Sequence, residues 1–232
     1  MNEKKTLQIE RFECLPSTQD YARDKRREGK DLLVIAKAQT GGKGTKGRTF
    51  SSQLGGVYLT KLAFYENFSA KEAFRIMADT AVAVCETLTA FGITPKIKWP
   101  NDVYVQDKKI CGILIENVFS GNRIASSLVG VGLNVSNAIP QELSSIAVTM
   151  ADVIKAPPVE QVTERLIEEL QKDRSMEEYL AYVGYMGREA TLILDGESIP
   201  GTLLSVDSEG GLLVELHGET RRLTAAEVSV RI

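Results

Sequence analysis

Residues 98–116 read KWPNDVYVQDKKICGILIE. Asp102–Gln106 and Lys109–Phe119 both have strand character, and the polar pair Asp107-Lys108 between them reads as the turn of a hairpin. By simple alternation Lys109, Cys111, Ile113 and Ile115 share one face of the second strand. A lysine in register with an apolar face points either to an anion that meets it or to an edge from which its ammonium snorkels. The stretch opens with Lys98-Trp99-Pro100-Asn101-Asp102, which sets a cation, the only tryptophan, a rigid turn, an amide and a carboxylate in five residues. Trp99 reads as core. Asp102 reads either as a plain turn residue or as part of a site.

Working outward, Ile124–Asn134 adds a strand after the turn Ser120-Gly121-Asn122, which makes the middle of the chain strand-rich. Just upstream, Phe74, Met77, Ala78, Ala81, Val82, Cys85 and Leu88 recur at helical steps, predicting a helix over Ser69–Phe91 that Gly92 ends. Thr6–Phe12, Leu32–Ala38 and Gly56–Tyr65 have strand patterns. Ser17, with Asp20 three residues on, carries the signature of a capping box, and the helix it starts should run to about Glu28 and stop at Gly29. A helical tract follows over Val159–Tyr185. Beyond Gly187 come five short strand patterns, Ala190–Leu194, Glu197–Val206, Leu212–Leu216, Thr220–Leu223 and Val228–Ile232, separated by glycine-containing turns. They predict a small barrel, with a domain boundary that divides the chain into 1–186 and 187–232.

Between the second and third predicted strands lies a loop, Gln39–Arg48, reading QTGGKGTKGR. It is not a Walker A loop, because glycine follows both Lys43 and Lys46 where a hydroxyl residue is required. The dinucleotide spacing G-x-G-x-x-G does occur over 42–47, but that motif must open a helix, and here the chain runs on into another strand. Two readings remain. The loop is either a solvated basic turn, or a glycine loop whose backbone N–H groups approach an anion with Lys43, Lys46 and Arg48 at hand.

Composition narrows the chemistry. The chain has 232 residues, 43% hydrophobic and 25% charged, with a net charge of -3 that suggests no general attraction to nucleic acid or membrane. No run approaches the ~18 apolar residues of a membrane-spanning helix, and the amino terminus lacks a signal-peptide core. Cys14, Cys85 and Cys111 stand far apart, as free thiols of a reducing cytoplasm do. His217 is the single histidine, so a Ser/His/Asp triad or a histidine metal centre would have to be built around that one residue, which is expected on the surface of a late strand.

The glycine loop followed by Phe50, then KWPND, then KKICGILIE, then GVGLNV at 130–135, resembles biotin protein ligases, and Pro16-Ser17-Thr18-Gln19 extends the likeness toward the start. The resemblance covers essentially the whole chain. It implies an α+β fold, a mixed β-sheet backed by helices like that of class II aminoacyl-tRNA synthetases, followed by an SH3-like β-barrel. It implies an enzyme that activates biotin with Mg-ATP as biotinyl-5'-AMP and passes it to a lysine of a biotin carboxyl carrier protein. On matching positions Lys109, Lys43 and Arg48 would be catalytic. Ser17, Thr18, Gln19, Gln39, Lys43, Gly44, Thr45, Lys109, Gly130 and Gly132 would surround biotin. Arg48, Phe50, Lys98, Asn101 and Asn134 would surround the nucleotide, and Asp102 would help hold Mg²⁺. Ser17 can serve as ligand, as helix cap, or both.

The chemistry suits these residue types. A carboxylate is already a nucleophile, so activation needs no general base, only cations and N–H donors that let two anions meet. Two positions depart from the family pattern: Thr45 stands where arginine is common, and Phe50 where tryptophan is common. The expectation is that Lys43 and Arg48 carry more of the charge and that the adenylate is held less tightly. The pattern begins so near Met1 that a short form without an amino-terminal DNA-binding domain is expected, with no sequence-specific DNA binding, no membrane association and a cytoplasmic location. Strand edges in the middle of the chain would permit a homodimer. Lipoate or octanoate transferases of similar fold, and a non-catalytic biotin-binding protein, are the rival readings.

Overall fold

The structure is a computed structural model that describes residues 7–231. Strands β1 (Gln8–Leu15), β2 (Leu32–Gln39), β3 (Val57–Ser69), β4 (Lys96–Lys98), β5 (Asp102–Val105), β6 (Lys108–Ser120) and β7 (Arg123–Leu133) form one seven-stranded sheet in the order β1-β2-β3-β7-β6-β5-β4. The β1–β2 pair is parallel and the other neighbours are antiparallel, so the sheet is mixed as expected. Helix α1 (Thr18–Lys25) packs on one face; α2 (Ala73–Ala90) and α3 (Val159–Glu169) pack on the other. Leu33, Leu59, Val131, Leu133 and Ile113 alternate toward α2, whose Ala78, Ala81, Val82, Cys85 and Leu88 complete a continuous core. Trp99 is buried in that core, and its indole donates to the Gly210 carbonyl at 3.1 Å.

Several expected boundaries shift. Thr6 lies outside the described residues, and β1 extends to Leu15. The tract 159–185 is two helices, α3 and α4 (Met176–Tyr182), because Ser175 and Glu178 form a capping box that starts a new helix. At α1 only half of the expected box forms: the Asp20 N–H donates to Ser17 Oγ at 3.3 Å, while the Asp20 carboxylate turns to Lys43 and Arg23. The hairpin turn is Gln106-Asp107, one residue earlier than expected, with φ of +50° and +58°. Two positive-φ residues are what a two-residue loop needs to match the twist of its strands.

A bulge in β6 has larger consequences. Val103 pairs with Cys111 but Tyr104 pairs with Lys109, leaving Ile110 as the extra residue. Alternation is broken there. Cys111 and Ile113 stay in the helix-side core, and Lys109 is delivered to the opposite face, where its Nζ lies 3.2 Å from the position a Cβ on Gly112 would occupy. The expected grouping of Lys109 with Cys111, Ile113 and Ile115 is therefore wrong, and Cys111 does not line the pocket.

The carboxy-terminal strands β8 (Glu189–Leu194), β9 (Glu197–Val206), β10 (Leu212–Leu216), β11 (Glu219–Leu223) and β12 (Val228–Arg231) form an antiparallel sheet in the order β11-β10-β9-β8-β12. It is SH3-like, but among the described residues no ladder joins β11 to β12, so the sheet is open rather than a closed barrel. Ile232 lies outside the described residues. Leu192, Leu203, Leu212 and Val214 join the same hydrophobic cluster as α2, which makes the core continuous across the expected boundary. His217 is exposed in the turn between β10 and β11 at φ +53°.

Candidate active site

The site occupies the α1 side of the sheet. There β6 and β7 present Gly112, Gly130 and Gly132, with Gly112 opposite Gly132 and Leu114 opposite Gly130. These glycines are a floor on which other groups rest. A Cβ on Gly132 would sit 2.6 Å from the Phe50 ring, and one on Gly130 would sit 2.5 Å from Gln19 Oε1. Any side chain there would displace what lies above.

One wall is a polar network. Gln39 Oε1 accepts from the Thr18 N–H at 2.7 Å and from Thr18 Oγ1 at 3.0 Å, and Gln39 Nε2 donates to Ser52 Oγ at 2.9 Å. Thr60, on β3 and fully buried, donates to Thr18 Oγ1 at 2.9 Å. Gln19 is 3% exposed, yet its Nε2 has no partner among the described residues. A buried amide donor left over at a pocket wall is a group that a ligand can satisfy.

The glycine loop crosses the mouth. Backbone bridges Gln39–Ser52 and Lys43–Thr49 close it on itself, and only a short 3-10 turn, Thr45–Gly47, interrupts it. No helix follows, so the dinucleotide spacing is incidental. Lys43 Nζ lies 2.6 Å from Asp20 Oδ1. The Arg48 guanidinium donates to the Thr45 hydroxyl at 3.0 Å and to its carbonyl at 3.3 Å. Thr45 thus fixes the direction of the cation three residues later.

Lys109 stands between two adjoining cavities. The first, about 40 Å³, is lined by all ten residues expected around biotin, with Phe50, Thr60 and Asn101. The second, about 260 Å³, is lined by Arg48, Phe50, Asp102, Tyr104, Asn134 and Asn137, with an apolar wall of Ile139, Pro140, Leu143 and Ile146. Gly44, Thr45, Phe50 and Lys109 border both. Lys109 Nζ is 2.6 Å from Asp102 Oδ1, and both side chains are largely buried. Asp102 is therefore first of all the counter-ion of Lys109. Among the described residues no three His, Cys, Asp or Glu side chains converge as a metal cage.

Of the residues expected around the nucleotide, Arg48, Phe50 and Asn134 line the second cavity. Asn101 lines the first, and its amide donates to the Ile113 carbonyl at 2.9 Å, strapping the KWPND turn to β6. Asn134 spends its amide on the fold, donating to the Val148 carbonyl at 3.2 Å and accepting from Asn137 at 3.1 Å, which holds segment 136–148 in place. Lys98 is set apart. It lines a third cavity with Arg48, Asp102 and strand β12, and its ammonium lies 5.0 Å over the Tyr104 ring. Burial, with the Asp102 charge adding to it, pushes the Tyr104 hydroxyl up to about 12.

Sequence reading missed Thr60, Ser52, Tyr104, Asn137 and the apolar wall. Thr60 was visible as a hydroxyl interrupting an apolar strand. The wall lies in a segment with no periodicity to place it.

Known proteins agree with this picture. The sequence profile of the biotin/lipoate A/B protein ligase family matches residues 11–134. The "Bifunctional ligase/repressor BirA" of Bacillus subtilis is 29% identical over 216 residues, which cover 85% of this chain and 66% of that protein's length. The "Biotin--[acetyl-CoA-carboxylase] ligase" of Mycobacterium tuberculosis is 27% identical, covering 85% of this chain and 78% of that one. The solved "Biotin protein ligase from Aquifex aeolicus in complex with biotin and ATP" superimposes with a TM-score of 0.77 at 27% identity, covering 97% of this chain and 98% of its own. The glycine floor, the loop and the KWPND hairpin all lie within the residues that the profile matches: this chain belongs to the biotin/lipoate A/B protein ligase family.

Proposed function

We propose that the protein is an ATP-dependent ligase that activates biotin as biotinyl-5'-AMP and transfers it to a lysine of a biotin carboxyl carrier protein. The observation that carries this reading is the position of the Lys109 ammonium, on the border of a small polar pocket and a larger cavity with one apolar wall. A carboxylate in the first and an α-phosphate in the second would meet at that ammonium.

In the first step a carboxylate oxygen of biotin attacks the α-phosphorus, and the bond to pyrophosphate breaks. Lys109 and the loop N–H groups offset the charge of both anions, and Arg48 holds phosphate at the wall of the second cavity. In the second step the carrier amine attacks the acyl carbon and AMP leaves. Among the residues lining the second cavity Asp102 is the carboxylate, which fits a Mg²⁺ ion carried mainly by the phosphates and held by one protein oxygen. The ion would supply further charge neutralisation there.

The family description spans biotin and lipoate, and the polar wall favours biotin. A ureido ring has one acceptor and two donors, which suit Ser17, Thr18, Gln19 and Gln39. A dithiolane ring would leave the buried Gln19 Nε2 donor without an acceptor. Phe50 rests on Gly132 and Gln19 on Gly130, so both side chains border the space that biotin would take above the glycine floor.

Exchange of labelled pyrophosphate into ATP tests the proposal. Biotin-dependent exchange is expected, lowered about 10²–10³-fold in Lys109→Ala. No exchange with biotin would leave a binding protein, and exchange or thermal stabilisation with lipoate or octanoate instead would move the substrate.

A further inference from the structure

A site that gathers anions has a carboxylate at its mouth. Asp20, on the first turn of α1, lies against the loop that crosses the pocket, and on electrostatic grounds it opposes the substrates. Its contacts explain its presence. Lys43 Nζ lies 2.6 Å from Asp20 Oδ1, and Arg23, three residues along the helix, reaches the same oxygen. Arg23 continues to Glu116 on β6, with Nη2 2.7 and 2.8 Å from its two oxygens. Lys43, Asp20, Arg23 and Glu116 form a row of alternating sign that runs from loop to helix to sheet. Burial tends to raise the Asp20 carboxyl, but hydrogen bonds from Lys43 and Arg23 outweigh it and leave it below the ordinary carboxylate range, so it is charged at neutral pH.

The other ties of the loop are differently placed. Its base is pinned by the Thr40 and Gly41 N–H groups to the carbonyls of Leu15 and Pro16, at 3.1 and 2.8 Å. At the far end Lys46 Nζ reaches Ser229 Oγ of β12 at 3.0 Å. The Lys43–Asp20 pair joins the middle of the loop to the α1 rim of the pocket. An ammonium has three donors, so Lys43 can keep Asp20 and still bond to an anion beneath it.

We propose that Asp20 is a positioning residue: it holds Lys43, and through it the glycine loop, across the pocket mouth, and so sets how fast the activated acyl-phosphate escapes. The inference rests on the function proposed above only for the identity of that ligand.

Two measurements on the full chain test it, using wild type, Asp20→Asn, Lys43→Met and the double variant. In ligand-free protein, amide exchange of residues 42–46 is expected to quicken about fivefold in each single variant and no further in the double, as for one partly exposed pair. High salt is expected to quicken wild type but not Asp20→Asn, because screening acts on the pair itself. With biotinyl-AMP bound, its release is expected to be about fivefold faster in Asp20→Asn. Additive effects in the double variant, or unchanged loop exchange in Asp20→Asn, would overturn the proposal. A wild type that does not bind biotinyl-AMP would refute the function instead, and the ligand-free arm would still decide the latch.

Discussion

The two faces of the central sheet are made by the same strands and do opposite things. On β7, Val129, Val131 and Leu133 point to α2 and α3 and are buried among apolar neighbours, whereas Gly130 and Gly132, the residues between them, bear no side chain and carry Gln19 and Phe50 above them. One face gains stability by filling space. The other gains a pocket by leaving space empty. Alternation puts the two roles one residue apart.

The contrast is open to a direct break at neighbouring positions. Leu133→Ala removes a fully buried side chain from the helix-side core and should destabilise by about 2–5 kcal/mol in denaturant unfolding, with kcat/KM per folded molecule little changed. Gly132→Ala should do the reverse, lowering biotin-dependent pyrophosphate exchange about 10²-fold, because the new Cβ meets Phe50 and misplaces whatever binds there. If Gly132→Ala unfolded the protein and spared activity, the division between faces would fail.

A smaller effect sharpens the same contrast on the helix side, where a carboxylate sits out of place. Burial raises Asp79 of α2 to about 6, and Arg75, 3.9 Å away, only partly offsets it. Its folded value lies above its unfolded one. The stability it contributes is therefore full below about pH 4 and is lost as pH rises through about 6. Asp79→Asn should then stabilise by about 1–3 kcal/mol at pH 7.5 and scarcely at pH 4, read from melting curves at both. A gain independent of pH would show that packing, not charge, is responsible.

The smallest expected change lies on the loop over the site face, where direction is set by hydrogen bonds rather than packing. Thr45→Val removes the hydroxyl that receives Arg48 and should raise KM for ATP about three- to fivefold, with Thr45→Ser near wild type. Equal losses in both variants would remove Thr45 as the orienting group.

Much of this was legible in order along the chain. Glycines at 112, 130 and 132, the basic loop, and the KWPND turn are local signals, and the resemblance they carry is what put Gly130 and Gly132 among the residues expected around biotin. All ten residues expected around biotin line one cavity. Lys98, expected with Phe50 and Asn134, lines a different cavity from theirs, and Cys111 was misjudged because a bulge cannot be read from an apolar pattern.

By itself the sequence determined which segments could be strands and helices, and which residues had the charge and hydrogen-bonding capacity for joining two anions. These follow from period, turn chemistry and functional groups, which are properties of short stretches. Only the tertiary structure decided that Lys109 faces the glycine floor, that Asp102 is its counter-ion, and that Asp20 pairs with Lys43. Each of these depends on one extra residue in a ladder or on side chains meeting across separate elements, and no interaction within a short stretch can specify such a meeting.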